Sequence, residues 1–126
     1  LNYHTIVINF SNSKNLSFKA QGKELDKLIQ TVKNVTDDNN FILVGHSMGG
    51  IAIREYIQNY LDKNINIAGI ITIATPHLGI PVEISNDYFG ASGKNLYAES
   101  EDIKELNDFN KSVYDKIPFI SFVVSG

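Results

Sequence analysis

The chain has 126 residues, of which 43% are hydrophobic and 20% charged, and its net charge is −3. That length can bury a core as a single domain, and the acidic balance argues against a nucleic-acid-binding surface. Cysteine is absent, so disulfides and thiolate chemistry are excluded, and no apolar run approaches a membrane span. The opening Leu1-Asn2-Tyr3-His4 carries neither an initiator methionine nor a leader-like charged and apolar pair of regions. This start is expected of a processed, trimmed or partial chain, and it leaves the compartment open between cytoplasmic and secreted for a soluble protein. Asparagine is frequent, so the Asn-x-Ser/Thr sequons at Asn9, Asn15, Asn34 and Asn110 read as compositional coincidence rather than glycan sites.

Tyr3 to Phe10 is rich in β-branched and aromatic residues and predicts a first strand buried on both faces. Ser11 to Ser17 is polar and predicts a loop. A helix follows from about Phe18 or Ala20 to Val35, with Leu25, Leu28, Ile29, Val32 and Val35 at helical spacing and Lys23, Glu24, Asp26, Lys27 and Lys33 facing away. Thr36 to Asn40 makes a turn, and Phe41 to Val44 a second strand. Ile51, Ile53, Tyr56, Ile57, Tyr60 and Leu61, with Arg54, Glu55, Gln58 and Asn59 between them, predict an amphipathic helix to about Asp62. Ile65 to Ala74 predicts the third strand, stopped by Thr75-Pro76-His77-Leu78-Gly79. Ile80 to Ala98 is irregular and shaped by Pro81, Gly90 and Gly93. Ser100 can cap a helix reaching about Asp115, whose Glu99, Glu101, Asp102 and Glu105 predict a solvated face. Ile117-Pro118 to Val124 predicts a fourth strand. Alternation of this kind implies an α/β fold: a mostly parallel sheet of about four strands with helices on both faces.

Function in such sheets sits at the carboxyl ends of the strands. There the chain carries Gly45-His46-Ser47-Met48-Gly49, entered from an apolar strand and left into a helix. This is the G-x-S-x-G nucleophile elbow in the context it requires. Gly45 and Gly49, two residues either side of the serine, are expected to let strand and helix approach. Ser47 is expected to sit in a strained conformation with its hydroxyl raised above the sheet. The Met48 backbone N–H is placed to receive an oxyanion at the positive end of the helix.

Val44-Gly45-His46-Ser47-Met48-Gly49-Gly50, with Arg54 and Tyr56 beyond, resembles the elbow of lipase-like α/β-hydrolases. Ala74-Thr75-Pro76-His77-Leu78-Gly79 resembles the turn after the next strand in the same family. Leu106-Asn107 and the Ile117-Pro118 strand ending in Ser125-Gly126 resemble its following segment. The resemblance implies a lipase or esterase-like serine hydrolase acting on lipid or short-chain esters through an acyl-enzyme on Ser47, without a cofactor. It also implies that residues 1–126 form one domain, the truncated central portion of the fold from about its fourth to its seventh strand. In the family, the acid follows the strand that ends here, the histidine comes later, and one oxyanion N–H lies before the opening strand. An acyltransferase or thioesterase on the same scaffold, or a non-catalytic acyl-lipid-binding relative, are the alternatives.

Of the three histidines, His46 adjoins the nucleophile but is expected to point away, and His4 lies far from the carboxyl rim. His77 lies at the rim of the neighbouring strand. It is the stand-in base within the chain, with Glu83 or Asp87 to orient it, and its other reading is a turn-stabilising residue. No metal-ligand spacing and no phosphate cradle are present. A four-stranded piece of sheet is expected to expose apolar edges and to self-associate.

Overall fold

The computed structural model describes residues 3–10, 17–84, 93–108 and 116–124. Helix α1 (Phe18–Thr36) is followed by strand β1 (Asn40–His46), helix α2 (Met48–Asn59) and strand β2 (Asn66–Ile73). A 3-10 turn (Lys94–Leu96), a short helix α3 (Glu101–Leu106) and strand β3 (Phe119–Phe122) complete the described elements. From α1 onward the order agrees with the alternation predicted from the sequence. The helix expected to reach Asp115 is corrected: it ends at Leu106, with Asn107 as its C-cap, the Asn107 N–H donating to the Ile103 carbonyl at 2.9 Å. Residues 109–115 lie outside the described residues, as do Ser11, Asp87, Gly90 and the final Ser125-Gly126.

Among the described residues the sheet is parallel and has three strands in the order β1-β2-β3. The predicted strand over Tyr3–Phe10 is corrected: the segment has no ladder partner among the described residues, and Tyr3, Ile6 and Val7 are exposed. Composition favours an extended chain, but a strand also needs a neighbouring edge to pair with. Only Ile8 and Phe10 pack against the core.

Register sets which residues face the helices. Leu43 lies beside Ile70, which lies beside Phe119, and Gly45 beside Thr72 beside Ser121. The pairing of β1 with β2 slips by one residue between Phe41 and Ile42, whose partners are Ile67 and Gly69. Helix α2 packs on this face of β1 and β2, α1 packs on α2, and α3 on α2 and the 3-10 turn. The core joins Leu25 and Ile29 of α1, Ile53, Tyr56 and Ile57 of α2, and Ile65, Ile67 and Ile70. On the opposite face Ile42, Val44, Ile73, Ile120 and Phe122 stand exposed. Helices were expected on both faces because the strands are apolar on both. Among the described residues they gather on one.

Ser17 caps α1, its hydroxyl accepting from the Ala20 N–H at 3.3 Å, and Asp37 ends the helix in a left-handed conformation with φ 59°. The buried stripe is Phe18, Gln21, Gly22, Leu25 and Ile29, one step round from the predicted one, and Val35 is exposed. Helix α2 is not amphipathic as predicted. Every residue from Gly50 to Ile57 is buried, Arg54 and Glu55 included. The helix is enclosed by the sheet, α1 and α3, so its polar residues must find partners within the protein. Glu55 accepts from Asn59 Nδ2 at 2.9 Å, and burial pushes its carboxyl above the usual range.

Candidate active site

Ser47 occupies the turn between β1 and α2 with φ 52° and ψ −128°. A residue with a Cβ seldom adopts this region, and holding it there stores backbone strain. The surroundings impose it. The Ser47 N–H donates to the Ile73 carbonyl at 2.9 Å, extending the β1–β2 pairing one residue past β1, into the turn itself. The Ser47 carbonyl accepts from the Gly50 N–H at 3.0 Å and from Thr75 Oγ1 at 3.0 Å.

The glycines divide their roles differently from the expectation. A Cβ on Gly45 would lie 2.7 Å from the Gly50 backbone, so the strand and helix touch there. A Cβ on Gly50 would collide with the Thr75 side chain, whereas one on Gly49 would meet nothing within 4 Å. The close approach is therefore made by Gly45 and Gly50, not Gly49. The reason is helical geometry: Gly49 lies on the open side of the first turn, and Gly50 faces the sheet. Sequence reasoning noted Gly50 but gave neither it nor Thr75 a role. The doubled glycine, one more than the elbow pattern asks for, was the signal.

Met48 opens α2, where helical amides have no carbonyl four residues back within the helix. Its N–H is in no backbone hydrogen bond among the described residues. Its sulfur lies 3.9 Å from Nε2 of the buried Gln21 on α1.

His77 sits in a different network. Its Nε2 is 3.0 Å from Thr72 Oγ1 and 3.4 Å from Ser121 Oγ, on the helix-covered face of the sheet. Its Nδ1 is 3.5 Å from Arg54 Nη1, and its ring meets Phe119 edge-on. Thr72 in turn donates to Ser121 Oγ at 3.1 Å. These contacts suit a neutral imidazole that donates from Nε2 to Thr72 and presents the Nδ1 lone pair to Arg54. Burial, then the Arg54 charge, holds the ring's pKa below its ordinary value. None of the His77 contacts is with Ser47.

Arg54 is the hub of that network. Its Nη1 donates to the His77 carbonyl at 3.0 Å, and its Nη2 to the Leu106 carbonyl at 3.1 Å and to Asn107 Oδ1 at 2.7 Å. It thereby ties the elbow helix to the turn after β2 and to the end of α3. Lys19 makes a second tie, from α1 to α3, through Asp102 and Glu105, each at 2.9 Å. That acidic face is thus partly engaged rather than simply solvated.

His46, on the side of β1 away from the helices, and His4 are exposed. Glu83 is exposed as well. At the carboxyl rim an open cleft of about 330 Å³ is lined by Ala74, Thr75, Pro76, Val123 and Val124. No helix among the described residues is long and apolar enough to cross a membrane.

A parallel sheet with its serine held in positive φ between strand and helix is the core of an α/β hydrolase. The family model described as alpha/beta hydrolase of unknown function (DUF915) matches residues 1–118, and the chain belongs to that family. Among curated proteins it is similar to the GPI inositol-deacylase of Coccidioides immitis (strain RS), at 43% identity over 56 residues, covering 43% of this chain and 5% of that protein. The GPI inositol-deacylase of Emericella nidulans is 32% identical over 85 residues, covering 66% and 6%. Triacylglycerol lipase 2 of Saccharomyces cerevisiae is 34% identical over 60 residues, covering 48% and 18%. The chain spans only 5% to 18% of the length of these relatives.

Proposed function

We propose that this protein hydrolyses carboxylic esters of lipid-like substrates, with Ser47 as the nucleophile. The observation that carries the reading is the backbone of Ser47, φ 52° and ψ −128°, at the junction of a parallel strand and a helix. Relatives named as an inositol-deacylase and a triacylglycerol lipase support an ester or acyl linkage as the target.

In the proposed reaction, Ser47 Oγ attacks the ester carbonyl carbon while a base takes the hydroxyl proton. The carbonyl electrons move to oxygen, and the Met48 N–H faces the resulting oxyanion. Collapse breaks the bond to the alcohol, which leaves with that proton, and an acyl-serine remains. Water then adds to the acyl carbon, Ser47 regains its proton, and the acid departs. We assign His77 to bracing the turn rather than to the base, because its ring nitrogens face Arg54, Thr72 and Ser121.

The test is covalent labelling of the full-length natural protein with a fluorophosphonate, together with turnover of p-nitrophenyl esters of short and long acyl chains. Labelling and turnover that both vanish in Ser47→Ala are expected. A folded wild-type protein that neither labels nor turns over would overturn the assignment.

A second reading, an acyl-lipid-binding relative without turnover, draws on one observation. Ser47 Oγ makes no capping bond to α2, and the His77 ring nitrogens are turned to Arg54, Thr72 and Ser121. Acyl-ester binding that is unchanged by Ser47→Ala, with no labelling, would favour that reading.

A further inference from the structure

We infer that Thr75 is a positioning residue for the oxyanion site, setting the orientation of the peptide that carries the Met48 N–H. The inference rests on the proposed role of Ser47.

A trans peptide is planar, and its C=O and N–H point in opposite directions. The Ser47 carbonyl and the Met48 N–H belong to one such unit. Whatever holds the carbonyl therefore aims the amide. Two donors hold it: the Gly50 N–H, part of the same helix, and Thr75 Oγ1, which comes from the turn after β2 at 3.0 Å. The Gly50 bond travels with α2. The Thr75 bond alone references the peptide to the end of β2.

The fold invests in this contact at three further points. Gly50 lacks a Cβ where one would collide with the Thr75 side chain. Ala74, immediately before Thr75, takes a positive φ of 50°, unusual for a residue with a Cβ. Ala74 is pinned there, its N–H donating to the Phe122 carbonyl at 2.9 Å. The chain thus turns sharply after the last paired residue of β2 and brings the threonine hydroxyl over the elbow. Ile73, through its carbonyl, holds the N–H side of Ser47, and Thr75, two residues later, holds the carbonyl side. The nucleophile is gripped from both ends by one short segment at the end of β2 and the turn that follows it.

An oxyanion donor acts by being in place before charge develops. Loosening the peptide should therefore reduce the chemical step and leave substrate binding nearly intact. The test compares wild type, Thr75→Val and Thr75→Ser in the full-length natural protein. Valine keeps the threonine shape and removes the hydroxyl, and serine restores it. The readouts are the second-order rate of fluorophosphonate labelling, kcat and KM separately on a p-nitrophenyl ester, and thermal melting.

Thr75→Val is expected to slow labelling and lower kcat by about ten- to a hundredfold at a temperature where it is fully folded, less than the loss of a whole oxyanion donor. KM is expected to change little, and Thr75→Ser to recover most of the rate. A Thr75→Val protein that melts earlier but labels at the wild-type rate, while Ser47→Ala does not label, would overturn the inference and leave the nucleophile assignment standing. A folded wild-type protein that does not label at all would overturn both.

Discussion

Arg54 Nη1 donates to the carbonyl oxygen of His77 at 3.0 Å, binding the helix that carries the elbow to the turn that follows β2. The guanidinium is buried, and carbonyl oxygens from two separate segments converge on it. Truncation would remove the donor from both, and the Leu106 carbonyl would be left buried without it. Arg54→Ala is expected to destabilise the protein by about 2–4 kcal/mol, read by urea unfolding. Arg54→Lys should recover only part of this, since an ammonium cannot reproduce the fork that spans His77, Leu106 and Asn107. A loss below about 0.5 kcal/mol in Arg54→Ala, the size of an ordinary surface change, would remove this clamp from the account.

His77 gives the fold a pH dependence of known sign. Burial and then Arg54 depress its pKa, so the folded state prefers the neutral ring. The unfolded chain therefore takes up the proton first. The stabilisation is complete above the unfolded value near 6.5 and is lost as pH falls through the folded pKa. Stability measured from pH 8 down to pH 5 should decline, and His77→Gln should flatten that decline. The same variant should keep fluorophosphonate labelling of Ser47, because its amide can still donate to Thr72. Loss of labelling in a folded His77→Gln protein would return His77 to the role of base.

Ser47→Gly should be more stable than wild type. Glycine occupies φ 52° with little penalty, whereas serine there carries about 1–3 kcal/mol of strain. The greater freedom of glycine in the unfolded chain takes back about 0.4–1 kcal/mol. A net gain of about 1 kcal/mol is expected in urea titration, with labelling abolished. A destabilised Ser47→Gly protein would show that the serine conformation is not strained.

The two helical glycines after Ser47 should separate sharply. Gly49→Ala places its methyl in open space and gains helix propensity, so stability should hold or rise by up to about 1 kcal/mol. Gly50→Ala drives a methyl into Thr75, and an overpacked site of this kind costs about 1–3 kcal/mol. Thermal melts of the two variants, side by side, decide the matter. Equal tolerance would mean that the contact between α2 and Thr75 yields easily.

The open sheet face predicts behaviour for these residues expressed by themselves. Ile42, Val44, Ile73, Ile120 and Phe122 form an apolar surface of the kind that drives association. Sedimentation of residues 1–126 should show dimers or larger species, and Val44→Lys with Ile120→Lys should shift them toward monomer. A monodisperse wild-type monomer at high concentration would refute this.

Local chemistry was legible from the sequence. Periodicity placed α1, β1, α2, β2 and β3 in order, because each pattern depends on neighbours within a turn or two of chain. A sharp turn at Ser47 between a strand and a helix was legible for the same reason, since an apolar run, a Gly-rich turn and a helical pattern stand next to one another in the chain. Apart from the exchange of Gly49 for Gly50, which is local helical geometry, the missing information where that reasoning went astray was a partner distant in sequence. Tyr3–Phe10 has a strand's composition but no paired edge, and the strands carry apolar residues on a face that no described helix covers. Arg54 and Glu55 look like the solvent side of α2 until α1 and α3 enclose it. His77 sits at the right rim for a base, yet its ring is turned toward Thr72 and Arg54.

The sequence by itself determined that a serine stands in a strained turn between a strand and a helix, since backbone sterics and glycine placement act over a few residues. Only the tertiary structure decided what holds that serine. Parallel pairing brings the end of β2 beside the elbow, setting Ile73 on its N–H and Thr75 on its carbonyl. Those contacts come from strand register and helix packing, which join residues far apart along the chain and leave no periodic trace in it.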